Sequence, residues 1–196
     1  RYGGRISSVL DIGAKEGNRK KFAGNAGISP ISTHMSLEGP LIKDTLTCIL
    51  TARTTYSNWV FNLIDNASLA GSRASFYDIN GKITWDLNKN NKIDLSSYFS
   101  HDAFRFNSDT VYSYDNNIVA LKWRHFFNSK LFSSVSFNNS HHNYDISSDY
   151  IKTEAFILSH KINSTGLKAD FNWFLGRHEL NFGLDLNKYS VIPGTY

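Results

Sequence analysis

The chain has 196 residues, with 21 basic and 17 acidic side chains, a formal net charge of +4 and aromatic residues at 14%. Only Arg19, Lys20 and Lys21 cluster, so no nucleic-acid footprint is present, and no run of about 18 apolar residues exists to cross a membrane as a helix. Cys48 is the only cysteine, which excludes an intrachain disulfide and a cysteine-based metal site.

A mean hydropathy of -0.34 would ordinarily mark a soluble domain. A transmembrane barrel alternates apolar and polar residues, however, and averages to a similar value. Charged residues at 19% fall below the ~25% of ordinary globular chains. The order of the residues therefore has to decide.

Residues 5–16 read as a strand rich in β-branched and apolar side chains, entered through Gly3-Gly4 and left through Gly17-Asn18. Its faces do not alternate cleanly, which suits burial on both sides in a compact domain. Residues 22–29 form a Gly-rich strand. Residues 31–39 alternate Ile31, Thr33, Met35 and Leu37 against Ser32, His34, Ser36 and Glu38, and Gly39-Pro40 is expected to end that strand because proline lacks a ladder donor. After a turn at 39–45, residues 46–56 place Leu46, Cys48, Leu50 and Ala52 on one face. Residues 57–74 break the alternation, and 58–65 have the helical spacing of Val60, Phe61 and Ile64.

Residues 75–106 then read as one long hairpin. Tyr77, Ile79, Gly81, Ile83, Trp85 and Leu87 share a face, with Asp78, Asn80, Lys82, Thr84 and Asp86 opposite, and 88–91 turn the chain. The first arm alone would reach on the order of 40 Å at about 3.3 Å per residue, and tilted by about 45° it would cover roughly the 30 Å of a hydrocarbon core. Strands of globular domains usually run only about 5–6 residues. Residues 107–116 read as a polar loop, 117–127 as a strand with Val119, Leu121, Trp123 and Phe127 on one side, 128–129 as a turn and 130–144 as the return. A second polar loop is expected at 145–149. Residues 154–175 form another long strand, Gly176-Arg177 turns it, and 179–189 close the series with Leu180, Phe182, Leu184 and Leu186 aligned. Short turns thus alternate with longer connections, as in outer-membrane barrels.

Constellations with catalytic or metal-binding chemistry do not stand up. Asp86-x-Asn88-x-Asn90 begins like a calcium loop but has Asn91 where glycine is needed and Ser97 where a bidentate glutamate belongs, so it reads as a hairpin turn. His141 and His142, with His125 and His160, could suggest a metal cluster, but adjacent histidines on a strand point to opposite faces, so the pair cannot chelate from one strand. Gly24-Asn25-Ala26-Gly27 lacks the Lys-Ser/Thr of a phosphate loop. No metal, cofactor or catalytic set is expected. Trp85, Trp123 and Trp173 each lie on the apolar face near a short turn, the position of an interfacial aromatic girdle.

Several blocks carry a resemblance: Arg1-Tyr2-Gly3-Gly4-Arg5-Ile6-Ser7-Ser8-Val9-Leu10-Asp11, then Gly17-Asn18, Leu37-Glu38-Gly39-Pro40-Leu41 and Arg53-Thr54-Thr55-Tyr56. Together they resemble TonB-dependent outer-membrane receptors, especially those of the Bacteroidetes. That resemblance implies an all-β fold, with residues 1–18 as the end of a plug domain and 19–196 as the first part of a transmembrane antiparallel β-barrel, about nine long strands of a barrel of about 22. The absence of an initiator Met and a signal peptide fits a piece of a longer protein.

It further implies energised uptake of a nutrient (siderophore, cobalamin, oligosaccharide or similar) rather than catalysis, in the outer membrane of a Gram-negative bacterium. The partners would be outer-membrane lipid, the TonB-ExbB-ExbD complex and the ligand. Asp78, Lys82, Asp86, Asp94, Lys168 and Asp170 would line the lumen. Trp59, Asn62, Arg73, Tyr112 and Tyr114 are candidate ligand contacts on loop position alone. Two competing readings are a soluble carbohydrate-binding β-sandwich or jelly roll, and an outer-membrane enzyme barrel such as a lipase, for which no nucleophile is evident.

Overall fold

A computed structural model describes residues 8, 13–64, 71–106, 109–148 and 155–195. Among these residues nine strands form one sheet in sequential order: β1 (Ala23–Ile28), β2 (Ser32–Ile42), β3 (Leu46–Thr55), β4 (Arg73–Asn88), β5 (Asn91–Arg105), β6 (Thr110–Phe126), β7 (Leu131–Ser148), β8 (Phe156–Leu175) and β9 (His178–Thr195). Every neighbouring pair is antiparallel. The only helix among the described residues is a single turn, α1 (Asn58–Phe61), shorter than the 58–65 expected.

The strands are long: β8 runs for 20 residues and β7 and β9 for 18 each. The tight turns have local causes. At 43–45 Asp44 takes a φ of 61°, and at 176–177 Gly176 takes a φ of 62°, which glycine adopts without a Cβ penalty. At 88–91 the Asn88 side-chain oxygen accepts from the Asn90 amide at 2.9 Å and from the Asn91 side chain at 2.9 Å.

Several boundaries differ from expectation, β9 among them, which runs to Thr195 rather than 189. Pro40 does not end β2. It pairs with Thr47, followed by a register shift to Ile42 opposite Leu46. The last β1 partner is Ala23 opposite Glu38, so Pro40 is flanked on one side only, where a missing donor is tolerated. Residues 110–116 are strand, not loop, and β7 continues through the expected loop at 145–148. The predicted strand over 5–16 falls mostly outside the described residues, and its described part, residues 8 and 13–16, has no strand pairing.

The sheet has two unlike faces. Cys48, Ile83, Leu95, Leu121, Phe137, Leu167 and Leu186 stand in register across β3 to β9 as one unbroken apolar row. Below it, toward the tight turns, lies the row Leu46, Trp85, Ile93, Trp123, Val135, Ala169 and Leu184. No second layer covers this face among the described residues: Leu95 is 40% exposed, Leu121 43% and Leu184 59%. A sandwich would seal these side chains. The opposite face is polar, and there Thr47, Thr84, Asp94 and Ser100 are all buried.

The apolar band crosses the sheet on a diagonal. On β4 it extends outward as far as Tyr77, whereas on β9 it stops at Leu186, the register partner of Leu167 and, across the sheet, of Ile83. The six residues from 77 to 83 are about 20 Å of strand, and five strand spacings are about 24 Å, so the band edge slants by roughly 40° to the inter-strand direction. The tight turns follow the same line. Leu46 opens β3, yet its row reaches Leu184, six residues into β9, a slope of roughly 35° over six spacings. Barrel strands tilt by about 35–45° to the axis, so band and turns are both level in a barrel frame.

Beyond the band the two faces exchange character. On the formerly apolar face β6 to β9 carry Asn117, His141, Asn163 and Ser190 in one row, then Asp115, Asn143 and Lys161 in the next. On the other face Phe104, Tyr112, Tyr114, Tyr144 and His160 stack, with ring centroids 5.0 Å apart for Phe104–Tyr112, 4.6 Å for Tyr114–Tyr144 and 5.9 Å for Tyr144–His160.

Candidate functional site

The polar face is organised around residues 13–19, which lie across β3, β4, β5 and β6. Gly17 is buried, and a Cβ there would come within 2.2 Å of the Cys48 carbonyl oxygen, so only glycine lets the two backbones approach this closely. The Arg19 carbonyl accepts from the Asp44 amide at 3.1 Å, and the Lys82 ammonium donates to the Ala14 carbonyl at 2.8 Å. The segment is thereby tied to the sheet by its backbone.

Its charges complete the attachment. Arg19 bonds Asp86 and, at 2.8 Å, Glu16. Lys92 bonds Glu16 and lies 3.7 Å from Asp86. Arg124 donates to Asp94 at 2.8 Å and lies 4.0 Å from Glu16. Asp94, 6% exposed, also accepts from the Thr84 hydroxyl at 2.8 Å and has Lys82 at 3.8 Å. Burial on its own would raise the Glu16 carboxyl. The hydrogen bonds and charges of Lys92 and Arg19 outweigh it and bring that pKa down to about 2. Arg19 is raised by its bonds to Glu16 and Asp86.

The residues expected on the polar side are there. Asp86 stands in register with Lys92, Arg124, Ser134 and Asp170, and the adjacent row runs Thr47, Thr84, Asp94, Lys122, Ser136 and Lys168. Asp78 bonds Arg53 at 2.7 Å, and Lys168 lies 3.8 Å from Asp170. Lys82 belongs to the same face through its contact with Asp94. Trp85, Trp123 and Trp173 lie on the apolar face near the turns, with Trp173 lower in register along the slant. The Trp123 indole donates to Asn91 at 2.9 Å, so one edge is satisfied while the ring stays exposed.

The ligand candidates do not converge. Trp59 is on α1 and donates to the Pro30 carbonyl at 3.0 Å, and Asn62 caps that turn. Tyr112 and Tyr114 are strand residues of β6 in the ring stack, not loop residues. Arg73 opens β4 and alternates onto the side of Tyr77 and Trp85, away from the polar face. Sequence reasoning missed the roles of Glu16, Arg19, Lys92 and Arg124. Their only signal was polarity at alternate positions of β5 and β6 and the Glu16 to Arg19 spacing. His141 bonds Asn163 on one face and His142 bonds Asn116 at 2.7 Å on the other. His125 bonds Asn91 at 2.8 Å, and His160 accepts from the Gly194 amide at 3.1 Å.

Fold and faces together define a section of an antiparallel membrane barrel, one side apolar in a level band and the other polar and crossed by an N-terminal segment. Among solved structures the chain is similar to the siderophore receptor PirA from Acinetobacter baumannii, with a TM-score of 0.54 at 13% identity. The match covers 90% of this chain and 28% of that one, so the chain spans little more than a quarter of the receptor's length. No family model and no curated protein matches the sequence. The likeness is one of fold: an antiparallel sheet that matches part of that receptor's structure.

Proposed function

We propose that the chain is part of a TonB-dependent outer-membrane receptor that takes up a nutrient (a siderophore, cobalamin, an oligosaccharide or a similar ligand) across the outer membrane of a Gram-negative bacterium. The carrying observation is the slanted apolar band, which is uncovered on one side while the other side is polar and occupied. A bilayer is the solvent that rewards that arrangement. Residues 13–19 fit the end of a plug joined to the first barrel strands, with residues 1–18 and 19–196 as the two parts. In this reading the TonB-ExbB-ExbD complex supplies energy through the plug, and no chemical step is catalysed. Ligand would meet the open ends of the strands, near Trp59, Asn62, Tyr112 and Tyr114. The Bacteroidetes-type assignment rests on the sequence blocks alone.

Fractionation of cells producing the full-length protein tests the reading. We expect it in the outer-membrane pellet, released by detergent and not by high salt or carbonate. Recovery in the soluble fraction without detergent would overturn the receptor assignment in favour of a soluble sheet protein.

A further inference from the structure

At the outer ends of β4 and β5, Arg73 and Arg105 stand directly opposite each other. Both belong to the apolar face by alternation, Arg73 with Ser75 and Tyr77, and Arg105 with Ala103, His101 and Phe99. Like charges in directly opposed cross-strand positions destabilise a sheet. The carboxylate of Asp115 on that face is held by His101 at 2.7 Å, and among the described residues neither arginine forms an ion pair. Among the described residues Arg105 donates to the Gly71 carbonyl, at 3.1 Å, and Arg73 is exposed.

Their height is informative. The band on β4 ends at Tyr77, whose ring stacks on His101 with centroids 5.6 Å apart. Arg73 lies four residues further along, about 13 Å of strand and about 10 Å of depth at the tilt derived above. The headgroup zone adds roughly 5–8 Å to each side of a hydrocarbon core, and a long arginine side chain reaches back over that interval. Guanidinium groups carried on two directly opposed residues can converge on the oxygens of one phosphate.

We propose that Arg73 and Arg105 form a two-pronged site for the phosphate of an anionic lipid headgroup in the outer leaflet, fastening the rim of the barrel at β4 and β5. Continuity with the apolar band selects a lipid as the occupant, because an acyl chain below a bound phosphate runs directly over Tyr77 and Ile79. The inference rests on the membrane reading, and its test separates the two.

Purified full-length protein is presented with phosphatidylglycerol and with phosphatidylcholine in detergent, and retained lipid is counted by native mass spectrometry. The R73Q/R105Q variant should lose roughly thirtyfold of the native preference for phosphatidylglycerol at low salt, while R73K/R105K, which keeps the charges and loses the forks, should fall between that variant and the native protein. Inorganic phosphate at 100-fold excess should leave the lipid bound. An unchanged preference in R73Q/R105Q overturns the site and leaves the membrane reading standing, as does displacement by inorganic phosphate. Failure of the native protein to retain either lipid overturns the membrane reading itself.

Discussion

Replacing Leu95 by arginine is expected to cost about 2–4 kcal/mol of folding stability in a bilayer, because the side chain sits mid-band on the lipid side. Leu95 belongs to the wholly apolar row from Cys48 to Leu186 and is already 40% exposed in the isolated sheet. In water such an exposed position tolerates arginine within about 0.5 kcal/mol. The same substitution at Asn139, which faces outward one register step beyond Phe137, should cost at most about 1 kcal/mol because it lies at the band edge. Denaturant titration of L95R and N139R in lipid vesicles measures the difference. Equal, small costs at both sites would remove lipid as the solvent of this face.

The second large effect belongs to Asp94. Removing its carboxylate leaves Arg124 and Lys82 facing each other and strands the Thr84 hydroxyl in a buried site. Loss of one partner from a buried charged cluster costs about 3 kcal/mol, and we expect D94A to lose about that much, with D94N intermediate because it still accepts from Thr84. The attached segment adds a pH dependence. Glu16 has a folded pKa of about 2 against an ordinary value of 4.5, so its contribution is complete above pH 4.5 and fades as the pH falls toward 2. Denaturation of D94A and of the native protein across that interval reads both effects. A D94A variant of native stability would show that the network is not holding the face together.

Much of this arrangement was legible in the residues. The alternation of Tyr77 to Leu87 against Asp78 to Asp86 assigned both faces of β4 correctly, because a period of two has only one partition. The turns at Asn88, Asn128 and Gly176 were legible because their side chains or φ values have local chemistry. What was not legible has a common cause. Beyond the band Ser113, Asp115, Asn143 and Asp145 face outward in β6 and β7, and a polar outward face reads as loop when an apolar one is expected. The ring stack on the opposite face holds these extensions together, and its members are paired by register across strands rather than by spacing along the chain. The position of Glu16 over Lys92 and Arg124 is likewise a contact between residues far apart in sequence, and no periodicity reports it.

The most direct measurement is a nitroxide scan along β6, one label at a time at Ala120, Leu121, Lys122, Trp123 and Arg124, in the full-length protein reconstituted in a bilayer. Labels at Leu121 and Trp123 should meet oxygen and be shielded from a water-soluble nickel chelate, and labels at Ala120, Lys122 and Arg124 should show low collision with oxygen. If Leu121 and Trp123 collide freely with the chelate, or if the collision rates do not alternate from one residue to the next, the apolar face does not meet lipid.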